Sequence, residues 1–331
     1  MRKTEDIRIR DPFVVAHGGM YYLYGAGRHE WGDFNENAIY VFRSTDLENW
    51  EEPTPVFFLP RAEEFWGCAD LWAPEVHLYN GKFYLFVSIL GKPGFGTPQD
   101  AVGAVSEEEL AFRHLIRGTQ IAVCDTPDGE FRPVANRPGT PVGPSCIDGT
   151  LYAEDGRPYH IYSHDWPHNF RDDIDCYDGE IMAVEMTPDL TENVGEPFLL
   201  FRSSEAGRQP CEHICPEGTV RYRYGSDAPF LSKMANGSLL LTWSPIPAGN
   251  YLVVAAVSKS GSIRGPWEHL EMPIFDKNGG HAMFFNTFDG RRMMCIHCPE
   301  CPPYERATFL EVEEDGDTYK IKKQSNKKRA R

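Results

Sequence analysis

A phrase that occurs five times constrains the fold of this chain more than any other feature. Each copy has an apolar strand, a short turn and a second apolar strand, and three of the five copies begin with Asp. The turns often contain Asn-Gly or Asp-Gly, which are strong signals for β-hairpins between apolar runs. The copies begin at Asp11, Pro74, Asp148, Asp227 and His281.

The spacing of these repeats predicts a β-propeller. It is too irregular for a solenoid but is typical of propeller blades that carry insertions of different length. A third apolar segment follows each hairpin, and the candidates are residues 38–42, 120–124, 181–185, 252–256 and 319–321. We therefore expect an all-β fold, in which residues 1–331 form a single five-bladed β-propeller domain with a basic tail at about 320–331.

Two segments depart from the repeated pattern. Residues 107–114 are the one stretch for which the sequence favours a helix, inside the insertion of the second blade. Residues 202–224 form the longest insertion, which has little periodicity and is expected to cross the surface and line the mouth of the site.

Composition excludes several classes of partner. The formal net charge of −16 argues against nucleic acid, because binding to phosphates needs a basic surface. No apolar run approaches the length that spans a membrane.

The nine cysteines are an odd number scattered over the chain, and the first six residues are charged rather than signal-like. These features predict a cytoplasmic protein, although a removed leader would leave the same sequence.

The first residues of equivalent strands point to a common site. In a propeller the innermost strands line a central channel, so their first residues converge at one mouth of that channel. This geometry is expected to bring together Asp11, Glu75, Asp148, Asp227 and His281. Convergent carboxylates raise one another's pKa, which separates a charged base from a protonated acid. Hydrolysis of a glycosidic bond requires that division of roles.

Aromatic and histidine residues near the strand ends are further candidates. Trp72, Trp166 and Trp243 have the side chain that stacks on the faces of sugars, and core packing is the alternative for each. His164 and His297 each follow the second strand of a blade. A hydrogen bond to substrate and a purely structural role are the two interpretations for both histidines.

These motifs resemble those of glycoside hydrolase family 43 over nearly the whole chain and in the expected order. The resemblance implies a five-bladed propeller that cleaves arabinofuranosides, xylosides or related linkages with inversion. It also implies that the second motif, with Trp72 and Glu75, forms part of the pocket wall. The motifs that carry it are Arg10-Asp11-Pro12-Phe13, Trp72-Ala73-Pro74-Glu75-Val76-His77, Ile147-Asp148-Gly149-Thr150-Leu151-Tyr152, Asp227-Ala228-Pro229-Phe230-Leu231 and Gly279-Gly280-His281-Ala282-Met283.

The resemblance also implies roles for the site residues. Asp11 matches the general base, Asp148 the auxiliary carboxylate that orients the acid and tunes its pKa, and Asp227 the general acid. His281 matches a channel histidine near the calcium ion that some members bind. No redox cofactor is required, and a calcium ion in the central channel is the one cofactor that the resemblance suggests. The expected substrate is a terminal pentoside, α-L-arabinofuranoside first and β-D-xyloside second.

The acid motif departs from the family pattern and leaves alternatives open. The family usually has Glu-Gly-Pro where this chain has Asp227-Ala228-Pro229. Asp is one methylene shorter than Glu, and Ala lacks the conformational freedom of Gly. Glu205 or Glu217 could supply the acid instead, or the propeller could bind carbohydrate without cleaving it.

Two further interpretations concern phosphate and metals. A phosphorolytic enzyme would need a basic phosphate site, for which Arg10, Arg28 and Arg306 are the candidates. The spacing of the cysteines in 211–215 and 295–301 is compatible with a metal site, but a buried thiol is also a common small apolar core residue.

Overall fold

Five four-stranded antiparallel sheets follow one another along the chain and form the blades of a β-propeller. The computed structural model describes residues 1–28, 31, 35–92, 95, 116–215 and 218–322. In every blade the first strand of the repeat lies innermost and contacts the innermost strands of the blades on either side. The contact between the innermost strands of blades 1 and 5 completes the ring.

The strands of each blade run from the channel outward in chain order. Blade by blade, they are Phe13–His17, Met20–Ala26, Ala38–Ser44 and Thr54–Phe58; Gly67–Tyr79, Lys82–Gly91, Arg117–Cys124 and Arg132–Pro133; Cys146–Glu154, Arg157–His164, Glu180–Met186 and Asn193–Arg202; Asp227–Lys233, Leu239–Ser244, Val254–Ser258 and Trp267–His269; and Gly280–Asn286, Arg292–Cys298, Arg306–Asp315 and Thr318–Ile321.

The remaining regular structure is small. An additional four-stranded sheet joins Phe170–Arg171, Cys176–Asp178, Cys211–Ile214 and Val220–Tyr224. A two-stranded sheet pairs Arg2–Lys3 with Asn49–Trp50. The helical segments among the described residues are short 3₁₀ turns, and none has the length and apolar character needed to cross a membrane. These turns are Thr4–Asp6, Trp166–His168, Ser203–Ala206 and Pro247–Gly249.

The structure confirms the five predicted hairpins and four of the five predicted third strands. The prediction was wrong in blade 5, where Arg306–Asp315 is the third strand and residues 319–321 belong to the fourth. The true third strand alternates Leu310 and Val312 with acidic residues, so it does not read as a continuous apolar run. The predicted helix at 107–114 lies outside the described residues.

The N-terminal segment joins blade 5 to blade 1. Ile7 and Ile9 are buried in the core, and the Ile9 N–H donates to the carbonyl oxygen of Glu305 at 3.2 Å. Arg8 Nε lies 3.2 Å from the Glu305 carboxylate. These long-range contacts hold the two ends of the propeller together beside the first residues of blade 1.

At an equivalent position near the start of each innermost strand, one residue has a left-handed backbone; Gly67–Tyr79 also has a second such residue, Asp70, with a φ of 55°. In blades 2 to 5 the residue at the equivalent position lies where the innermost strand bulges out of register with the second strand. A side chain in this region is uncommon for any residue other than Gly, Asn or Asp. The residues and their φ angles are Asp11 at 51°, Ala73 at 44°, Asp148 at 55°, Ala228 at 54° and His281 at 57°.

These bulges define which positions are structurally equivalent. The sequence alignment placed Asp227 and Glu75 beside Asp11, whereas the equivalent residues are Ala228 and Ala73. Asp227 is therefore one position before the bulge and Glu75 two positions after it. A shift of one residue along a strand points the side chain to the opposite face, so this register decides which groups reach the site.

Candidate active site

A cavity of about 800 Å³ lies where the innermost strands of the five blades begin. It brings together six residues that the sequence singled out as site candidates. Concave sites with converging polar groups and perturbed pKa values are the usual location of enzyme active sites. The six residues are Asp11, Trp72, Asp148, Trp166, Asp227 and His281.

Four other candidates do not line this cavity, and one of them, His297, is fully buried with its Nδ1 3.2 Å from Asp11 Oδ1. Glu75 is 3% exposed and its carboxylate lies 2.9 Å from His77 Nε2, below the mouth. His164 pairs through Nδ1 with Glu180 at 2.9 Å. Trp243 is 1% exposed and packs beside Phe201 in the core between blades.

Two imidazole rings and a guanidinium surround Asp11. Its Oδ1 lies 3.1 Å from His281 Nδ1 and 3.2 Å from His297 Nδ1, and its Oδ2 lies 3.6 Å from Arg10 Nε. Burial alone would raise the pKa of Asp11, but these neighbours outweigh it and lower that pKa well below its usual value. Burial opposes and Asp11 favours the charged form of His281, whose pKa rises to about 9. Asp11 is therefore a carboxylate at neutral pH.

Asp148 is held on both its backbone and its side chain. Its N–H donates to Ser88 Oγ at 2.9 Å, and its Oδ2 accepts the N–H of Ala228 at 3.0 Å. Burial raises the pKa of Asp148 to about 7, an effect that His281 reduces and the charge of Asp227 reinforces. The bond from Ala228 favours the ionised form of Asp148.

Asp227 lies at the first position of its strand and is half-buried in the cavity wall. Its Oδ2 accepts a long hydrogen bond of 3.4 Å from the hydroxyl of Tyr251. Burial raises the pKa of Asp227, while His281 and Arg10 act in the opposite direction. Burial raises the pKa of both Asp148 and Asp227. Asp148 accepts a backbone N–H at 3.0 Å, whereas Asp227 accepts the longer bond from Tyr251, so hydrogen bonding favours Asp227 as the carboxyl that holds a proton.

The sequence analysis did not single out Asp165, a fourth carboxyl group in the cavity wall. Its N–H donates to the carbonyl oxygen of Ser145 at 2.8 Å, which fixes the chain directly after the second strand of blade 3. Burial and the charge of Asp227 raise the pKa of Asp165 to about 7. Its position was readable from the sequence, because the second strand of a hairpin ends beside the start of the first.

The additional sheet supports Trp166 rather than lining the cavity itself. The guanidinium of Arg223 lies 4.4 Å over the indole of Trp166, and the ring of His213 meets it edge-on at 4.9 Å. Both residues come from the insertion at 202–224, which was expected to line the mouth. Trp72 is 41% exposed, and Arg117 stacks on it at 3.9 Å.

The alternative residues named from the sequence fall into three groups. Glu205 is exposed in the turn Ser203–Ala206 and does not line the cavity, and Glu217 lies outside the described residues. Arg10 and Arg28 line the cavity. Arg306 instead donates to the carbonyl oxygen of Glu5 on the N-terminal segment.

The donor set around His281 does not fit a calcium cage built from protein groups. Calcium takes six to eight oxygen ligands, whereas His281 Nδ1 faces Asp11 at 3.1 Å. Over the described ranges, no group of three His, Cys, Asp or Glu residues could hold a metal ion. The cysteines of 211–215 and 295–301 carry free thiols, and Cys295 is buried within a strand. The expected calcium site stays a prediction, and no catalytic step below depends on it.

Comparisons with known proteins agree with this architecture. The model of the family described as glycosyl hydrolases family 43 matches residues 6–316. The solved structure of an endo-arabinase from Bacteroides thetaiotaomicron VPI-5482 is 32% identical, with a TM-score of 0.77 over 96% of this chain and 98% of that one. The match therefore extends over the whole propeller.

Two curated relatives match shorter stretches. The extracellular endo-α-(1→5)-L-arabinanase 1 of Bacillus subtilis (strain 168) is 28% identical over 109 residues, which is 31% of this chain and 31% of that protein. The extracellular exo-α-(1→5)-L-arabinofuranosidase ArbA of Cellvibrio japonicus (strain Ueda107) is 25% identical over 114 residues, which is 32% of this chain and 28% of the relative. These alignments span about a third of the length of the curated relatives.

The relatives overturn the expected location. A cytoplasmic protein was predicted from the charged first residues and the scattered cysteines, but two of the curated relatives are named as extracellular proteins. The error has a simple cause. Composition and cysteine count describe the folded domain, and they are weak evidence about where it is delivered.

Proposed function

This chain belongs to glycosyl hydrolases family 43, and from that premise we propose that it hydrolyses α-L-arabinofuranosidic linkages with inversion of configuration. The observation that carries the proposal is one cavity in which Asp11 is kept ionised while burial raises the pKa of Asp148 and Asp227. An inverting glycosidase needs one carboxylate as base and one carboxylic acid as proton donor. The propeller is accordingly the proposed catalytic domain.

In the proposed mechanism, Asp11 removes a proton from a water molecule that attacks the anomeric carbon. Asp227 gives its proton to the glycosidic oxygen as the bond from that oxygen to the anomeric carbon breaks. Asp148 orients the acid through the N–H of Ala228, the residue that follows Asp227, and its charge favours the protonated form of Asp227. His281 and Arg10 hold Asp11 as an anion.

The choice of sugar rests on the comparisons. Arabinan-active names recur among the relatives, including the endo-arabinase that matches nearly the whole chain at 32% identity. A solved endo-1,4-β-xylanase is only 22% identical, so it supports the fold alone and a β-D-xyloside ranks second. Trp72 and Trp166 offer aromatic surfaces to a sugar at the cavity wall. The two named extracellular relatives favour action outside the cell.

The test combines two kinds of substrate with two variants. Purified enzyme would be assayed on linear α-1,5-arabino-oligosaccharides and on dinitrophenyl α-L-arabinofuranoside, with the matching β-D-xylosides as comparison. Removing a general acid or base costs about 10²- to 10⁴-fold in rate. Asp11→Asn should lose that much on both arabinosides. Asp227→Asn should lose it on oligosaccharides and lose far less on the dinitrophenyl substrate, whose leaving group needs no protonation.

Several results would contradict the proposal. Glu205→Gln serves as the matched control and should retain wild-type rates, so a loss confined to Glu205→Gln would move the acid to the insertion. Proton NMR of the first product should show the inverted anomer, and retention would exclude the roles given to Asp11 and Asp227. Sugar binding without turnover by the wild type would favour a carbohydrate-binding propeller.

A further inference from the structure

Neighbouring blades are joined by a recurrent hydrogen bond at the cavity. The left-handed residue of one blade donates its N–H to a side chain on the second strand of the blade before it. Asp148 donates to Ser88 Oγ at 2.9 Å, and His281 donates to Ser244 Oγ at 2.9 Å. Each serine comes from the same position of its blade, opposite the residue that precedes the bulge. Serine at this position therefore satisfies a buried backbone donor across the junction.

At the junction from blade 5 to blade 1 a histidine takes the place of this serine. His297 lies opposite Gly280, the residue before the bulge of blade 5, as the two serines do in their blades. Its Nδ1 accepts the N–H of Asp11 at 3.2 Å. The same nitrogen lies 3.2 Å from Asp11 Oδ1, to which it donates in the protonated imidazolium form, when it no longer accepts the N–H of Asp11. The substitution therefore occurs at the junction that leads into the blade with the proposed base.

The far side of the imidazole is also held. His297 Nε2 is hydrogen-bonded to Glu300 Oε2, and Glu300 Oε1 accepts a bond from Arg10 Nη1 at 2.6 Å. Arg10 Nε returns to within 3.6 Å of Asp11 Oδ2. The contacts close a ring in which each oxygen of the Asp11 carboxylate faces a group that Glu300 fixes.

Packing restricts the imidazole further. His297 is fully buried, and the ring of Tyr251 stacks on it at 5.3 Å with an interplanar angle of 21°. The hydroxyl of Tyr251 is the group that reaches Asp227 Oδ2. One rigid stack of two rings therefore lies between the proposed base and the proposed acid.

We propose that His297, fixed by Glu300 and Arg10, is a positioning residue that sets the orientation of the Asp11 carboxylate. The inference rests on the proposed function, because it takes Asp11 as the base. A base must lie within hydrogen-bond reach of the attacking water, and a misplacement of about 1 Å can cost on the order of 100-fold in rate. Asp11 has a left-handed backbone and precedes the strand Phe13–His17, so strand pairing does not fix its backbone.

The charges around Asp11 predict the sign of a pH effect. Arg10, His281 and His297 favour its ionised form, whereas Asp148 and Asp227 are like charges and Glu300 stabilises two of the cations. Burial lowers the pKa of His297, but its contacts with Asp11 and Glu300 outweigh burial and raise that pKa. Loss of the imidazole should raise the pKa of Asp11 and move the acidic limb of kcat/KM to higher pH.

The primary variant is His297→Ser, because serine already satisfies the same backbone donor at two other junctions. We expect a folded protein whose kcat falls by about 10- to 100-fold, with KM changed by less than about threefold. Glu300→Gln should also lower kcat. Its matched control is Glu305→Gln, which removes the charge of another blade-5 carboxylate that pairs with an arginine of the N-terminal segment. The control should keep the wild-type kcat.

Each outcome decides for or against the inference. A shared positioning role is supported if His297→Ser and Glu300→Gln each lower kcat, if their effects are not additive in the double variant, and if the acidic limb shifts. Wild-type kcat in His297→Ser, or equal losses in Glu300→Gln and Glu305→Gln, overturns it. If His297→Ser does not fold, His297→Asn decides, since its amide can still meet Asp11 but cannot reach Glu300. Full activity of Asp11→Asn would instead refute the proposed function.

Discussion

Replacing Ala228 with glycine tests the left-handed backbone beside the proposed acid. Ala228 has a φ of 54°, is 2% exposed and donates its N–H to Asp148. Relief of a left-handed alanine is worth about 1–2 kcal/mol. Against this, glycine lowers the free energy of unfolding by about 0.4–1 kcal/mol, because it makes the unfolded chain more flexible, and by about 0.8 kcal/mol, because a buried methyl group is removed. The opposing effects nearly cancel, so Ala228→Gly should change the free energy of unfolding by less than about 0.5 kcal/mol.

The matched control is Ala256→Gly in the same blade. Ala256 is fully buried in the strand Val254–Ser258 and has no left-handed backbone to relieve. It should lose about 1–2 kcal/mol, the sum of the two unfavourable contributions. Urea unfolding with an unchanged m-value would measure both variants. Equal destabilisation of the two variants would show that Ala228 carries no backbone strain, and the reasoning about this motif would fail.

Three further outcomes follow from the site. The folded state raises the pKa of Asp165 to about 7, so its protonation contributes to the free energy of unfolding at low pH and this contribution is lost as the pH rises. Asp165→Asn should therefore be more stable than the wild type in thermal unfolding at pH 8 but not at pH 4. Trp166→Ala should raise KM for oligosaccharides with little loss of stability, whereas Trp243→Ala should lose about 3–5 kcal/mol in urea unfolding and leave KM unchanged. Ser88→Ala strands the buried N–H of Asp148, so unfolding measurements should show a loss of about 1–3 kcal/mol.

Local signals account for what the sequence could predict. Alternating apolar residues and the turn residues between them lie within a few positions of one another, so hairpins were readable blade by blade. The acidic alternation of Arg306–Asp315 departed from that signal, and the third strand of blade 5 was placed wrongly. Asp11, Asp148 and His281 were aligned correctly because in these three blades the first residue of the repeat is also the residue with the left-handed backbone. Trp243 was misjudged because an aromatic residue near a strand end reads the same whether it faces the core or the cavity.

The parts that sequence could not provide depend on distant contacts. His297 meets Asp11 across 286 positions in the chain, and Arg10 meets Glu300 across 290. No periodicity links such residues, because closure of the ring alone brings blade 5 beside blade 1. The register of Asp227 was misjudged for a related reason. A bulge adds a residue without changing the apolar pattern, and the cavity accepts both the bulged residue and the one before it.

The junctions explain how an irregular set of repeats can still build one exact site. Ser88 and Ser244 each fix the backbone of the next blade, and His297 does so for the blade that carries Asp11. At the junction from blade 3 to blade 4, the N–H of Ala228 is taken by the carboxylate of Asp148 itself. The auxiliary carboxylate thus takes the acceptor role that a serine has at the other junctions, and it holds the N–H beside the proposed acid most strongly while it is ionised. This coupling joins the geometry of blade 4 to the charge state of blade 3, so a change that protonates Asp148 should disturb the position of Asp227 as well as its pKa.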